Sequence, residues 1–230
     1  MSKGAKGGTF RLLVAIAGMF LPWRIKKWVL KSLLGYRLDP NSYIGFSLVS
    51  VSSLEMGTQA RIGHLTICRG LQRILLEDYA SIGNLNWITG GTSRPLWRTE
   101  GALPAVPALH LATHSAITNR HYVDCSDTIA VGAYTTIAGV RSQLFTHSID
   151  LEICGQRASP IAIGRYCLIG TGTIVLPGAK LPDFSILGAG SVLVDAKDEP
   201  WTLYSGVPAR ATKSISREDR YFSRQTGYVE

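Results

Sequence analysis

Aliphatic residues return along this chain every sixth position. From Ile163 to Val194 one opens each unit (Ile163, Ile169, Val175, Leu181, Leu187, Leu193), and a small residue holds the fifth place (Cys167, Thr173, Ala179, Ser185, Ser191). A period of six suits neither an amphipathic helix nor a simply alternating strand, but it does suit a chain that coils through short strands separated by corners. The opening residue points inward, the fifth is small enough to fit beside it, and glycine at the second place (Gly164, Gly170, Gly188) is expected to permit the corner. Three units make one triangular coil, and successive coils stack as parallel strands about 4.8 Å apart.

Upstream the pattern recurs at Met56, Ile62, Leu76, Ile82, Leu111, Ile117, Val123, Val131 and Ile137. It breaks twice, near residues 88 to 108 and 149 to 160. Loops expelled from a solenoid gather on its surface and often carry function, so both breaks are candidate site regions. The organisation expected is a basic amphipathic segment over 1–42, a β-solenoid over 43–213 and a polar tail over 214–230.

In the first segment, Leu12 to Leu21 is too short to cross a bilayer and stops at Pro22. Beyond it, Ile25, Trp28, Val29 and Leu33 share one helical face while Arg24, Lys27 and Lys31 share another. Two readings follow: a helix lying in a membrane interface, or one capping the open end of the solenoid. Charge sharpens the first. The chain has 24 basic and 16 acidic residues, and eight of the basic ones precede the first acid, Asp39; from there on the two signs balance. Such a cluster suits an anionic leaflet, with contact expected over residues 10–37. The balanced remainder lacks the basic surface expected of a nucleic-acid binder. Cys68, Cys125, Cys154 and Cys167 have no metal-finger spacing and give no reason to expect disulfides, which favours a cytoplasmic setting.

The repeat, together with Thr146-His147-Ser148-Ile149-Asp150 at the second break and Gly206-Val207-Pro208-Ala209-Arg210 after the last unit, resembles the hexapeptide-repeat acyltransferases of the maltose and galactoside acetyltransferase type. The likeness is strongest over residues 129 to 213. It implies an all-β fold, a left-handed parallel β-helix; spacing alone would not give that hand, because parallel crossovers are normally right-handed. It also implies an acetyl-coenzyme A donor, no metal, a saccharide acceptor such as a surface-polysaccharide or glycolipid precursor, and a homotrimer with active sites between subunits. With the basic segment, the place expected is the inner face of the membrane.

His147 matches the family's catalytic position. A neutral imidazole can take the acceptor hydroxyl's proton as that oxygen attacks a thioester. Asp124 and Asp150 are both candidates to orient it. The family's donor contacts fall on Thr171-Gly172, Ala189-Gly190, Pro208, Arg210 and Lys213, with Val194-Asp195 standing where a Thr-Lys pair is common. Acceptor contacts are expected from Asn119, His121 and Arg141, and from Trp87 and Trp97 at the two ends of the first break. Alternatives with the same fold are a sugar N-acetyltransferase, an acyl-carrier-protein-dependent lipid acyltransferase, a non-catalytic scaffold, and a β-helix carbonic anhydrase using histidines such as His110 and His114 on zinc.

Overall fold

The computed structural model describes residues 3–91, 104–152 and 154–228. In the regular coils a two-residue strand is made of the last residue of one hexad and the first of the next, as in Leu168–Ile169 and Ile174–Val175. The former points outward and the latter inward. Stacking these strands gives three sheets of seven, nine and seven strands among the described residues, parallel throughout except for the last strand of the second. Register keeps like residues in columns: Ile44, Ile62, Ile82, Ile117, Ile137, Ile169 and Leu187 stack on the second sheet, all buried. The fold is the left-handed parallel β-helix.

The second-place glycines do a different job from the one expected. Gly164, Gly170 and Gly188 are not in the left-handed region; the fourth residue of each unit is, at Tyr166, Gly172, Gly178, Phe184 and Gly190. A Cβ on Gly164 or Gly170 would lie 2.5 Å from the backbone of the next coil. Those glycines therefore allow close stacking, and the corner turns two residues later.

Each strand N–H donates to a carbonyl of the following coil, for example Tyr43 to Ala60 and Gly45 to Ile62. Carbonyls of the first coil consequently lack a strand partner, and buried orphans are costly. The N-terminal helices α1 (Lys3–Met19) and α2 (Trp23–Leu34) supply donors instead. Lys26 Nζ reaches Gly45 O at 2.6 Å and Ser47 O at 3.3 Å, Lys27 reaches Asp39 O and Pro40 O, and Arg11 reaches Val51 O. Tyr36 Oη serves Val49 O and Val51 O. Leu30 and Leu34 close the core beneath them. The cap thus uses a stripe of α2, Lys26-Leu30-Leu34, that differs from the Ile25-Trp28-Leu33 stripe, and the latter stays exposed. Three of the basic residues are committed to carbonyls, and burial lowers the Lys26 ammonium to about 8.

At the other end an antiparallel hairpin, Thr202–Gly206 with Ala209–Ser214, finishes the second sheet and covers its last strand. Residues beyond it fold back along one corner of the coils, burying Phe222 against Phe184 and Trp201.

Candidate active site

The second break is an antiparallel hairpin, His147–Asp150 with Gly155–Ala158, leaving the coil after the third-sheet strand Gln143–Phe145. Parallel pairing sets Phe145 beside Asp124 of the preceding coil, so the first residues of the hairpin pass over that carboxylate. His147 Nδ1 stands 3.0 Å from Asp124 Oδ1, in an ion-pair contact off the line of a good hydrogen bond. The imidazole is about one-third exposed. Asp124 is itself fixed: its Oδ1 accepts from the Ser126 N–H at 3.0 Å and from Thr146 Oγ1 at 3.2 Å. Of the two candidate partners, then, the fold brings Asp124 to the ring. Asp150 instead pairs with Arg157 Nε at 2.6 Å, across the hairpin.

His121 does not contact an acceptor, contrary to expectation. It is wholly buried, Ser142 N–H donates to its Nδ1 at 3.2 Å, and its Nε2 proton goes to Thr118 Oγ1 at 2.9 Å. Burial pushes this imidazole down to about 4, which keeps it neutral. Asn119 is exposed, yet its side-chain oxygen accepts the Asn84 N–H at 2.7 Å. It belongs to a polar ladder along one corner, in which His64, Asn84 and Asn119 each take a backbone N–H of the coil before. Thr171 continues that ladder, holding the N–H and carbonyl of Val140. Its hydroxyl is therefore engaged within the protein.

Gly172 and Gly190 end the corner openly, where an added Cβ would meet nothing within 4 Å. Pro208, Arg210 and Lys213 are exposed on the terminal hairpin near the last coils, with Ala209 buried between them. A pantetheine arm along this bare edge, with cations at its end, fits these residues. Trp87 and Arg141 lie together on the same side of the coils, joined by Arg120 and Tyr122, which sequence reasoning did not single out. The six-residue count did not reveal them, because one extra residue between Ile137 and Leu144 moves Arg141 to the fifth place of its unit; strand pairing sets it at the corner equivalent to Arg120. Trp97 lies outside the described residues. His110 and His114 do not converge: His110 Nε2 contacts Glu77 Oε1 at 2.7 Å, and His114 is stacked between Tyr79 and Tyr134.

The described residues thus combine a parallel β-helix of hexads with a hairpin that sets a histidine over a carboxylate. No family model matches the chain. It is 25% identical over 154 residues to the galactoside O-acetyltransferase of Escherichia coli K12, an alignment covering 66% of this chain and 71% of that protein. In fold it is similar to the polysialic acid O-acetyltransferase OatWY, with a TM-score of 0.60 at 14% identity, covering 83% of this chain and 90% of that one. An N-acyltransferase from Bacillus cereus, solved with coenzyme A and dTDP-4-amino-4,6-dideoxyglucose, matches with a TM-score of 0.50 at 14% identity over 86% of this chain and 93% of that one. The chain is thus similar to a sugar O-acetyltransferase in sequence and to sugar acyltransferases in fold.

Proposed function

We propose that this protein is an acetyl-coenzyme A-dependent O-acetyltransferase that acetylates a sugar hydroxyl, on a surface-polysaccharide or glycolipid precursor. The observation that carries this reading is the contact of His147 with Asp124 at the mouth of the hairpin. Facing Asp124 through Nδ1 orients the ring, leaving Nε2 to take the acceptor hydroxyl's proton. Acetyl-coenzyme A, as donor substrate, supplies an activated thioester carbonyl for that oxygen to attack. His147 then returns the proton to the departing sulfur, so the chain needs no acylated residue of its own. Thr171-Gly172, Ala189-Gly190, Pro208, Arg210 and Lys213 form the donor side. The relatives' sugar acceptors and the coenzyme A in the B. cereus structure support the reading. Its test is transfer from acetyl-coenzyme A to a panel of free and nucleotide-linked sugars, with the product examined for an ester. Parent protein that transfers nothing, or a folded His147→Ala variant at the parent rate, overturns it.

A homotrimer with shared sites belongs to this proposal. The hairpin tip carries Ile149 and Leu151, 69% and 89% exposed, an apolar end suited to a neighbouring subunit. Peripheral membrane attachment at a cytoplasmic face belongs to it as well. No described helix is long and apolar enough to cross a bilayer. Yet Phe10, Leu13, Ile16, Ile25, Trp28 and Leu33 on the two capping helices, and Phe20 between them, are all exposed, with Arg24 and Lys31 beside them. Burial of such side chains in a lipid interface, with cations at anionic headgroups, is favourable. Sedimentation with phosphatidylglycerol vesicles is expected to fall sharply for Ile25→Ser/Trp28→Ser; unchanged sedimentation removes the membrane from the proposal.

A further inference from the structure

An open groove of about 600 Å³ runs along the corner between the second and third sheets, lined by Trp87, Arg120, Tyr122, Val140, Arg141 and Gly172, among others. Trp87 and Tyr122 are register partners on adjacent coils, 48% and 57% exposed, so two large rings sit side by side on the surface. Arg120 and Arg141 hold equivalent corner positions on the next two coils, linked by the Arg141 N–H donating to Arg120 O at 2.9 Å. Both adopt the left-handed region, at φ 60° and 64°, where the two following coils place Gly172 and Gly190. Neither guanidinium makes an ion pair among the described residues. Two arginines thus line one groove without a carboxylate partner among the described residues.

The groove opens toward the candidate chemistry. Tyr122 and Asp124 are two residues apart on one strand, so they project from the same face about 7 Å from each other. Asp124 touches His147. Trp87, Arg120 and Tyr122 lie on coils N-terminal to the His147 hairpin, while Ala189-Gly190 lie on a coil C-terminal to it and Arg210 on the terminal hairpin; Thr171-Gly172 of the proposed donor side border the groove as well. Paired guanidiniums recognise phosphate and carboxylate oxygens in forked geometry, and aromatic faces stack on sugar rings or bases. Together they describe a site for a ring-bearing molecule with an anionic group.

We infer that this groove binds the acceptor, and that the acceptor is an anionic sugar: one whose phosphate, diphosphate or carboxylate is held by Arg120 and Arg141 while its body lies on Trp87 and Tyr122. This rests on the acyl-transfer reading above for its direction toward His147. Calorimetric binding separates the two. The full chain is titrated with UDP-glucose, glucuronic acid, uncharged methyl glucoside and free coenzyme A. At least one anionic sugar is expected to bind tenfold or more tightly than methyl glucoside, and its identity distinguishes phosphate from carboxylate recognition. Arg120→Gln/Arg141→Gln is expected to lose that preference by at least tenfold, with coenzyme A affinity and melting temperature unchanged. No preference for an anionic sugar, an unchanged double variant, or an equal loss of coenzyme A affinity overturns the inference. Failure of the acyl-transfer reading has a different signature: the anionic sugar still binds, and His147→Ala leaves turnover intact.

Discussion

Two corners of the coil share one backbone and have opposite fates. At the first, Tyr79, His114, Tyr134, Tyr166 and Phe184 are left-handed, and each donates its N–H back to the previous coil. At the second, Leu85, Arg120, Arg141, Gly172 and Gly190 do the same. The first corner's rings stack, with Trp201, into a continuous column with centroids 4.4 to 5.5 Å apart. The C-terminal segment seals it: Arg224 lies over Tyr166, Tyr221 Oη reaches Cys167 O, and the Gly227 N–H donates to His114 Nδ1. The second corner has no such column and no strap among the described residues, and its open groove is lined by Tyr122, which shares a strand with Asp124. A non-glycine residue in the left-handed region costs about 1 kcal/mol. Stacking offsets that cost at the first corner; at the second, Arg120 and Arg141 bear it without a visible structural return.

The largest expected effect lies on the open side. His147→Ala should lower turnover by about 10²- to 10⁴-fold while coenzyme A affinity and melting temperature stay near parental values, as steady-state kinetics with calorimetry would show. On the sealed side the effect should be stability alone. Phe184→Ala removes a ring stacked between Tyr166 and Trp201, and should cost about 3 kcal/mol in urea unfolding with the chemistry of the folded fraction intact. A paired glycine test sharpens the contrast. Arg141→Gly should stay within about 1 kcal/mol of parental stability because its corner suits glycine, whereas Tyr134→Gly loses its stack and should fall further. Equal losses at both corners would dissolve the distinction.

The smallest effect concerns His121, directly beneath the open corner. Its folded pKa, about 4, lies below the ordinary value of 6.5, so between these limits the unfolded chain binds the extra proton. Stability from this group is therefore complete above pH 6.5 and declines as the pH falls toward 4. His121→Gln should flatten that part of the pH–stability curve, whatever its effect at neutral pH.

The site was only partly legible beforehand. His147 was visible because it breaks a regular repeat beside a threonine and an aspartate. The choice between its two candidate partners was not: Asp124 lies 23 positions away and reaches it only because parallel register sets Phe145 beside Asp124. His121 looked like a ligand contact because a sequence does not show which way a side chain points between two corner residues. The basic N-terminal cluster was read as a single electrostatic feature, while the fold divides it between carbonyls of the first coil and an exposed apolar face.

By itself the sequence determined the coil, because a six-residue period needs only local strand geometry and small fifth residues to specify which side chains face inward. It also marked where the coil stops, at both interruptions. Tertiary structure alone decided which glycines serve stacking and which serve turning, which aspartate meets the histidine, and which corner is covered. Those outcomes depend on coils laid one above another about 4.8 Å apart, so that residues many positions distant in the chain become neighbours.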